Sequence, residues 1–304
     1  MKRWRQPLLG VALVLLAALI LLAGTSQLTR AGYSVDEEFT VFAVRGIQAE
    51  GLPLLPSRLL YDRGLVYSYA SWIANALTGT ELPSFRALSL LCALASAMLV
   101  FAIVRRVATD RAALLAATLV SMSMPFWATA TTGRFYAPFF ACYLAVIWAL
   151  STRGTNPVGT IGTVRTFSTV AVLAALSRLT HELAFTLAFI PFLCAVFGPR
   201  LDRRKWLVAT AAVLVGLAAA QATLFVLHAL EPGNGETMVR RFFLWQVLNL
   251  FEAPAARQYG IVLAAMVLSW LIVPRRVALA TVLALCGTAM VIHSRWRVPP
   301  TPDR

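Results

Sequence analysis

The run LLGVALVLLAALILLAG at residues 8–24 decides the fold class of this chain. It contains no charged residue and follows the basic segment MKRWR at residues 1–5. A bilayer core is crossed by roughly 17–25 apolar residues in a helix. The run therefore predicts a first transmembrane helix, TM1, over residues 8–28. Cleavage as a signal peptide after Ala23-Gly24-Thr25 is the weaker alternative, because the apolar run is longer than a signal core.

The composition extends this prediction to the whole chain. Of its 304 residues, 59% are hydrophobic and only 13% are charged, whereas soluble domains carry about 25% charged residues. These values exclude an ordinary soluble enzyme, a disordered chain and a fibrous repeat. Further uncharged runs begin near Ala87, Ala112, Phe135, Phe167, Leu183, Trp206, Tyr259 and Val277. We therefore predict an all-α, polytopic membrane bundle of about nine transmembrane helices.

The loop charges predict the topology and explain the net charge of +14 without nucleic acid as a partner. One alternating set of loops holds 14 cations and 2 acids, a net charge of +12, and the other holds 12 cations and 11 acids, a net charge of +1. Arg178 lies within a hydrophobic stretch and belongs to neither set. Because cytoplasmic loops are enriched in Lys and Arg, the N-terminus is predicted inside. The same balance requires two spans within residues 167–197, joined by an outer turn near His181.

The predicted organisation is a single membrane domain, 1–304, without a soluble C-terminal domain. Its segments are TM1 at 8–28, an external loop with interfacial helices at 29–86, TM2–TM7 at 87–230, an external interfacial segment at 231–260, TM8–TM9 at 261–293 and a tail at 294–304. In the first loop, apolar residues at helical spacing precede and follow a Gly/Pro break at residues 51–56. We expect two amphipathic helices there, on the outer membrane face.

Metal and nucleotide sites have no support in the sequence. The four cysteines (Cys92, Cys142, Cys194 and Cys286) fall in predicted spans without CxxC spacing, and the three histidines are far apart. No GxGxxG, P-loop or GxSxG motif occurs. A metal is therefore predicted to be absent, and no cofactor is expected to be required.

Three adjacent acids, Asp36, Glu37 and Glu38, follow TM1 closely, and the first two are the candidate catalytic residues. Acids in such a loop are often only solvated charge. A carboxylate held at the bilayer surface, however, can act as a general base on a hydroxyl acceptor. Their position before an amphipathic helix favours the second interpretation.

Other polar residues are predicted on the same side. Arg63 lies in the first loop, Arg134 and Tyr136 form the turn after TM3, and Arg178, His181 and Glu182 lie near the turn at His181. Arginine offers a planar fork for phosphate oxygens. Two alternatives stay open, namely that Arg134 only snorkels to the membrane interface and that Arg178 and Glu182 only pair with each other.

The order of these motifs resembles the GT-C fold glycosyltransferases that use polyprenyl-phosphate sugars, in the bacterial protein-mannosyltransferase and aminoarabinose-transferase superfamily. The matching elements are Val35-Asp36-Glu37-Glu38-Phe39, Tyr61-Asp-Arg-Gly-Leu-Val-Tyr-Ser-Tyr69, Phe85-Arg86-Ala-Leu-Ser89 and Gly133-Arg134-Phe135-Tyr136. The resemblance covers about residues 8–197. It places the protein in a bacterial inner membrane, with its active site on the outer face.

The resemblance implies a reaction and a set of residues. A sugar passes from a polyprenyl-phosphate donor to an acceptor hydroxyl on a glycan, lipid or protein. Asp36 is the implied base, Glu37 its helper, and Arg63 the contact to the lipid phosphate. The predicted donor site comprises Arg63, Tyr67, Arg134, Tyr136, Arg178, His181 and Glu182.

Two rival functions remain. A transporter or flippase of a lipid-linked sugar would need no catalysis, but it predicts repeated halves and charges at mid-membrane. The chain shows no clear internal duplication, and its charges lie near the ends of the spans, except Arg178. A structural or assembly protein would tolerate changes at the acids and arginines.

Overall fold

The computed structural model describes residues 5–29, 32, 34–151, 160–197 and 203–230. Within these ranges the regular secondary structure is helical, with one isolated antiparallel bridge between Leu54 and Leu60. The helices are α1 (Arg5–Leu28), α2 (Val35–Glu50), α3 (Leu65–Thr78), α4 (Glu81–Val107), α5 (Asp110–Met122), α6 (Met124–Ala130), α7 (Tyr136–Ser151), α8 (Thr160–Thr180), a 3₁₀ helix (Glu182–Ala188), α9 (Phe189–Phe197) and α10 (Arg203–Ala229). The predicted all-α class is confirmed.

The chain divides into two compact units, Met1–Gly233 and Asn234–Arg304. The first unit contains all the helices named above. The second lies outside the described residues, and so do the predicted interfacial segment 231–260, TM8–TM9 and the tail. The candidate site is therefore built entirely from the first unit.

Three of the described helices are long and apolar enough to cross a membrane, namely Pro7–Leu28 within α1, and α4 and α10 in full. A fourth candidate is the pair α5 and α6, which is bent by 65° at Ser123. Ser123 caps α6, and Pro125 follows in its first turn, a position that suits proline because the first helical N–H groups lack partners. A multi-pass membrane protein is confirmed, and about nine spans stay a prediction.

Glycine and serine fix the ends of α2 and α3, the two helices between α1 and α4. Ser34 and Glu37 form a capping box at the start of α2, in which each side chain accepts a hydrogen bond from the other's backbone N–H. Gly51 ends α2 in the left-handed conformation, with φ +77°. Gly64 and Gly79 bound α3 in the same way. Two helices therefore occupy the loop in which the sequence predicted them.

One edge of α3 is apolar and uncovered. Trp72, Ile73 and Leu77 are 36%, 52% and 81% exposed, respectively. Such an edge is typical of a helix that lies against lipid headgroups. The interfacial position of α3 stays a prediction.

The core of the first unit surrounds α4, which packs against α1, α5 and α7. Its buried residues include Leu16, Ile20, Leu90, Ala93, Ala97, Phe101, Ala117, Phe126 and Ala130. A second contact joins α8 to α10, where Gly216 faces the carbonyl oxygen of Ala171 so closely that a Cβ would collide with it. Small residues permit such a close approach of two helices, which brings the C-terminal parts of α8 and α10 side by side.

Helix α8 stops at His181. Its backbone is extended there, with φ −158° and ψ 142°, and its Nδ1 accepts a hydrogen bond from Leu183 N–H at 3.0 Å. The 3₁₀ helix and α9 follow. The break coincides with the predicted turn, and the assignment of two separate spans stays a prediction.

Candidate active site

A buried ion pair joins the start of α2 to the start of α4. Glu37 accepts two hydrogen bonds from Arg86, from Nε to Oε1 at 2.8 Å and from Nη2 to Oε2 at 2.9 Å. Their side chains are only 1% and 5% exposed, respectively. A bidentate pair of this kind fixes orientation as well as distance. We call Glu37 and Arg86 the clamp.

Further hydrogen bonds extend the clamp to neighbouring elements. Gly133 N–H donates to Glu37 Oε1 at 2.7 Å, and Ser34 N–H donates to Oε2 at 2.9 Å. Arg86 Nη2 also donates to the carbonyl oxygen of Gly32 at 2.9 Å, and Nη1 donates to that of Leu28 at 3.4 Å. The clamp therefore holds together the end of α1, the start of α2, the start of α4 and the turn before α7.

The surroundings of Glu37 favour its ionised form. Burial raises the pKa of the carboxyl, but the Arg86 hydrogen bonds, the N–H groups of Gly133 and Ser34 and the Arg86 charge lower it, and the net pKa is below its ordinary value. Each carboxylate oxygen already accepts two hydrogen bonds. The contacts of Glu37 are thus those of a structural residue that holds neighbouring segments together. Its role as catalytic helper stays a prediction.

Asp36, the predicted base, lies in the first turn of α2, directly before Glu37. Arg134 directly follows Gly133, the residue that donates to Glu37. The hydrogen bond from Gly133 N–H to Glu37 Oε1 therefore connects the residue after Asp36 with the residue before Arg134. The predicted base and a predicted phosphate ligand belong to adjoining segments, although they are distant in sequence.

Arg134 is buried, with 6% of its surface exposed. Its Nη2 donates to the Tyr61 hydroxyl at 3.4 Å, and its guanidinium carbon lies 5.0 and 5.2 Å from the ring centres of Phe135 and Tyr136. Ser89 Oγ holds its backbone by donating to the carbonyl oxygen at 3.1 Å. This enclosed position does not fit a residue that snorkels to a membrane interface.

Tyr61 connects the two predicted phosphate ligands. Its ring is 7% exposed and stacks on Phe39, with ring centres 6.0 Å apart. Burial raises its pKa, the charges of Arg134 and Arg63 oppose that rise, and the net pKa is above the ordinary value of 10.0. The hydroxyl therefore keeps its proton at neutral pH. Arg134 therefore contacts the Tyr61 hydroxyl directly, and the Arg63 charge is near enough to influence it.

Tyr136 and His181 enclose the same region from α7 and from the end of α8. The His181 ring centre lies 5.3 Å from that of Phe135 and 6.0 Å from that of Tyr136. Gly64, with φ +73°, packs so tightly on Phe135 that a Cβ would come within 2.7 Å of it. A glycine is required at this position both by the backbone conformation and by the contact.

Tyr67 has a different environment. It is 2% exposed, and its hydroxyl donates to the carbonyl oxygen of Phe85 at 2.8 Å and contacts Ser89 Oγ at 2.9 Å. Burial raises the pKa of this hydroxyl. These contacts are those of a core residue between α3 and α4. They do not support a place for Tyr67 in the donor site, which stays a prediction.

Arg178 lies in the last turn of α8, and Glu182 begins the 3₁₀ helix that follows. Arg178 Nη2 donates to Gln221 Oε1 at 2.8 Å, and its guanidinium carbon lies 5.0 Å from the ring centre of Phe185. The charges of Asp62 and Glu182 both act on Arg178. Arg178 is thus bound to α10 and is not paired with Glu182 alone.

Several residues of this region were not predicted as site residues. They are Tyr61, Asp62, Arg86, Gln221 and His228. Arg86 stands in the quoted Arg-x-x-Ser element, which hinted at its importance. Gln221 and His228 are polar residues on the same face of the apolar helix α10. That spacing could have identified them as candidate site residues. Within the described ranges, no three His, Cys, Asp or Glu side chains form a candidate metal site; the prediction that no metal is needed stays a prediction.

Comparison with known proteins gives one family. Residues 62–228, more than half of the chain, match the family model described as dolichyl-phosphate-mannose-protein mannosyltransferase. The matched range includes Arg63, Arg134, Tyr136 and Arg178, whereas Asp36 and Glu37 precede it. No curated protein and no solved structure matches the chain. With a family model that covers all helices from α3 to α10, the chain belongs to the dolichyl-phosphate-mannose-protein mannosyltransferase family of GT-C glycosyltransferases.

Proposed function

We propose that this membrane glycosyltransferase moves a sugar from a polyprenyl-phosphate donor to an acceptor hydroxyl at the outer face of a bacterial inner membrane, with Asp36 as general base. The family supports the coarser part, a membrane enzyme with a polyprenyl-phosphate sugar donor. The observation that carries the finer part is the hydrogen bond from Gly133 to Glu37. It joins the segment of the predicted base to the segment of the predicted phosphate ligand Arg134.

The proposed step is a single displacement. Asp36 takes the proton of the acceptor hydroxyl, and the acceptor oxygen attacks the anomeric carbon of the donor sugar. The bond between that carbon and the phosphate oxygen breaks, and the electron pair leaves with the polyprenyl phosphate. A base and a leaving group on opposite faces of the sugar ring require inversion, by analogy with the carboxylate geometry of glycosidases. The step needs no metal, nucleotide or redox partner.

The arginines stabilise the leaving phosphate in this proposal. Arg134 contacts the Tyr61 hydroxyl, which supplies a neutral donor beside this cation, and the Arg63 charge also acts on that hydroxyl. Fixed donors aimed at a developing negative charge are among the strongest contributions to catalysis. Tyr136 and His181 offer apolar ring faces with a polar edge to the donor sugar. The acceptor can be a glycan, a lipid or a protein.

Replacement of Arg63 or Arg134 by alanine should weaken binding of polyprenyl phosphate, the leaving group of the reaction. A hydrogen bond to a charged group contributes about 1.5–3 kcal/mol, which corresponds to a loss of roughly 10–150-fold. Lysine should restore binding only in part, because it lacks the planar fork. Titration of purified protein in detergent with polyprenyl phosphate measures this without knowledge of the acceptor.

Arg58→Ala is the matched control for this experiment. Like Arg63, Arg58 is an exposed arginine of the first loop, but it pairs with Glu50 at 2.8 Å and was not predicted as a site residue. It should bind polyprenyl phosphate like the wild type. Equal losses in the Arg58 and Arg63 variants would show that only overall charge matters, and unchanged binding in the Arg63 variant would remove that residue from the site.

The topology follows from the loop charges and can be tested separately. Reporter fusions after Arg106 and after Lys205 are both expected in the cytoplasm, because their loops belong to the strongly basic set. Alkaline phosphatase and green fluorescent protein fusions give opposite signals on the two sides of the membrane. An outside signal after Lys205 would contradict the two-span assignment of residues 167–197.

A further inference from the structure

A polar contact joins the first loop to α10 beside the candidate site. His228 Nε2 lies 3.5 Å from Asp62 Oδ2, with side chains 21% and 36% exposed, respectively. His228 lies near the end of α10, and Asp62 lies between Tyr61 and Arg63 in the loop before α3. The two residues are far apart in sequence, so the contact joins the first loop to a helix that lies much later in the chain.

The loop around Asp62 is fixed on both sides. On one side, Tyr61 is buried, stacks on Phe39 and accepts a hydrogen bond from Arg134. On the other side, Gly64 packs tightly on Phe135. Between these anchors, Arg63 is exposed, and Asp62, its neighbour in sequence, contacts His228.

Two further charged residues lie near the contact between Asp62 and His228. The elements packed against α10 here are α8, the 3₁₀ helix and α9. They bring Arg178 and Glu182 to this end, and the Asp62 charge acts on Arg178. Arg178 is itself held to α10 by its hydrogen bond to Gln221, two helical turns before His228. Asp62 therefore contacts one imidazole, and one guanidinium charge is near enough to interact with it electrostatically.

We infer that Asp62 and His228 form a tether that positions Arg63 for the donor phosphate. The tether is a positioning device, because neither residue needs to touch the reacting atoms. The inference rests on the proposed function through the role of Arg63. Since the tether acts on binding of the donor, its loss should raise KM for the polyprenyl-phosphate sugar and leave kcat nearly unchanged.

Two replacements of His228 separate the tether from mere packing. His228→Leu fills the position with an apolar side chain but removes the ring nitrogen that faces Asp62. KM for the donor should therefore rise about fivefold, the effect of roughly 1 kcal/mol from a partly exposed ion pair. His228→Gln places an amide N–H near the position of Nε2 and should restore most of the affinity. Asp62→Asn should resemble His228→Leu. Glu50→Gln, which breaks the exposed pair with Arg58 in the same loop, is the control and should leave KM unchanged.

The assay uses the full chain in lipid nanodiscs, polyprenyl-phosphate mannose as donor, and titration with polyprenyl phosphate as a second readout. A rise in KM with the leucine variant and recovery with glutamine supports the tether. Equal KM in the wild type and His228→Leu overturns it, as does a loss confined to kcat. If His228→Leu does not fold, comparison of Asp62→Asn with Glu50→Gln decides in the same way. Failure of the proposed function has another signature, because Arg63→Ala would then bind polyprenyl phosphate normally.

Discussion

Asp36→Asn is expected to lower sugar transfer by about 10²–10⁴-fold, the usual contribution of a positioned general base. Asparagine keeps the shape of the side chain but cannot accept the proton of the acceptor hydroxyl. Binding of polyprenyl phosphate should remain at the wild-type level, because the arginines that hold it are unchanged. The measurement compares transfer from polyprenyl-phosphate mannose with binding of polyprenyl phosphate in the same preparation.

Glu38→Gln is the matched control for the Asp36 variant. Glu38 belongs to the same three acids and is exposed, so its loss changes the local charge equally but removes no proposed base. It should retain nearly full transfer. Equal transfer by the wild type and Asp36→Asn would contradict the assignment of Asp36. It would also favour the flippase alternative, in which the rate depends on conformational change and not on a base.

The fold class and helix positions could be predicted because they depend on local patterns. Uncharged runs of sufficient length predict membrane helices, and the caps at Ser34, Gly51 and Gly64 are visible as residue types. The break at His181 could be located because one helix through residues 167–197 would be too long for a single crossing. The bend between α5 and α6 was not predicted, although Ser123 and Pro125 mark it.

The partners of the site residues could not be predicted in the same way, because they depend on contacts between distant segments. Glu37 and Arg86 were both noticed in the sequence, but nothing local indicates that they pair or that Gly133 joins them. Tyr67 shows the same dependence, since an aromatic residue near Arg63 in sequence suggests a binding role, whereas its hydroxyl contacts the core between α3 and α4. Residue type indicates possible chemistry, and packing decides which partner it meets.

Disruption of the clamp is expected to have the second large effect, this time on stability. Glu37→Gln leaves the buried Arg86 without its counter-charge, and removal of one partner from a buried ion pair costs about 3–5 kcal/mol. Arg86→Met should cost a similar amount. Because the two side chains contact each other, the double variant should lose less than the sum of the single variants. Unfolding of the purified protein in mixed micelles measures these differences.

The chain contains its own control, since Arg45 and Glu81 also join α2 to α4. They form a bidentate pair with distances of 3.1 and 3.0 Å, but their side chains are 56% and 28% exposed. Exposed pairs contribute only about 0–1 kcal/mol, so Glu81→Gln should unfold nearly like the wild type. Wild-type stability in Glu37→Gln, together with a large loss of transfer, would contradict the clamp and assign Glu37 to catalysis.

The dependence of stability on pH provides an independent test of the clamp. The pKa of Glu37 is lower in the folded protein than its ordinary value of 4.5, so its contribution to stability is fully present above that value. The contribution should be lost as the pH falls through the lowered pKa of the folded state, because the unfolded chain then binds the proton more readily. The wild type should therefore lose stability more steeply than Glu37→Gln below the ordinary pKa, and the two curves should run parallel above it. Parallel curves throughout the acid range would show that the Glu37 carboxylate does not stabilise the junction of α1, α2, α4 and the turn at Gly133.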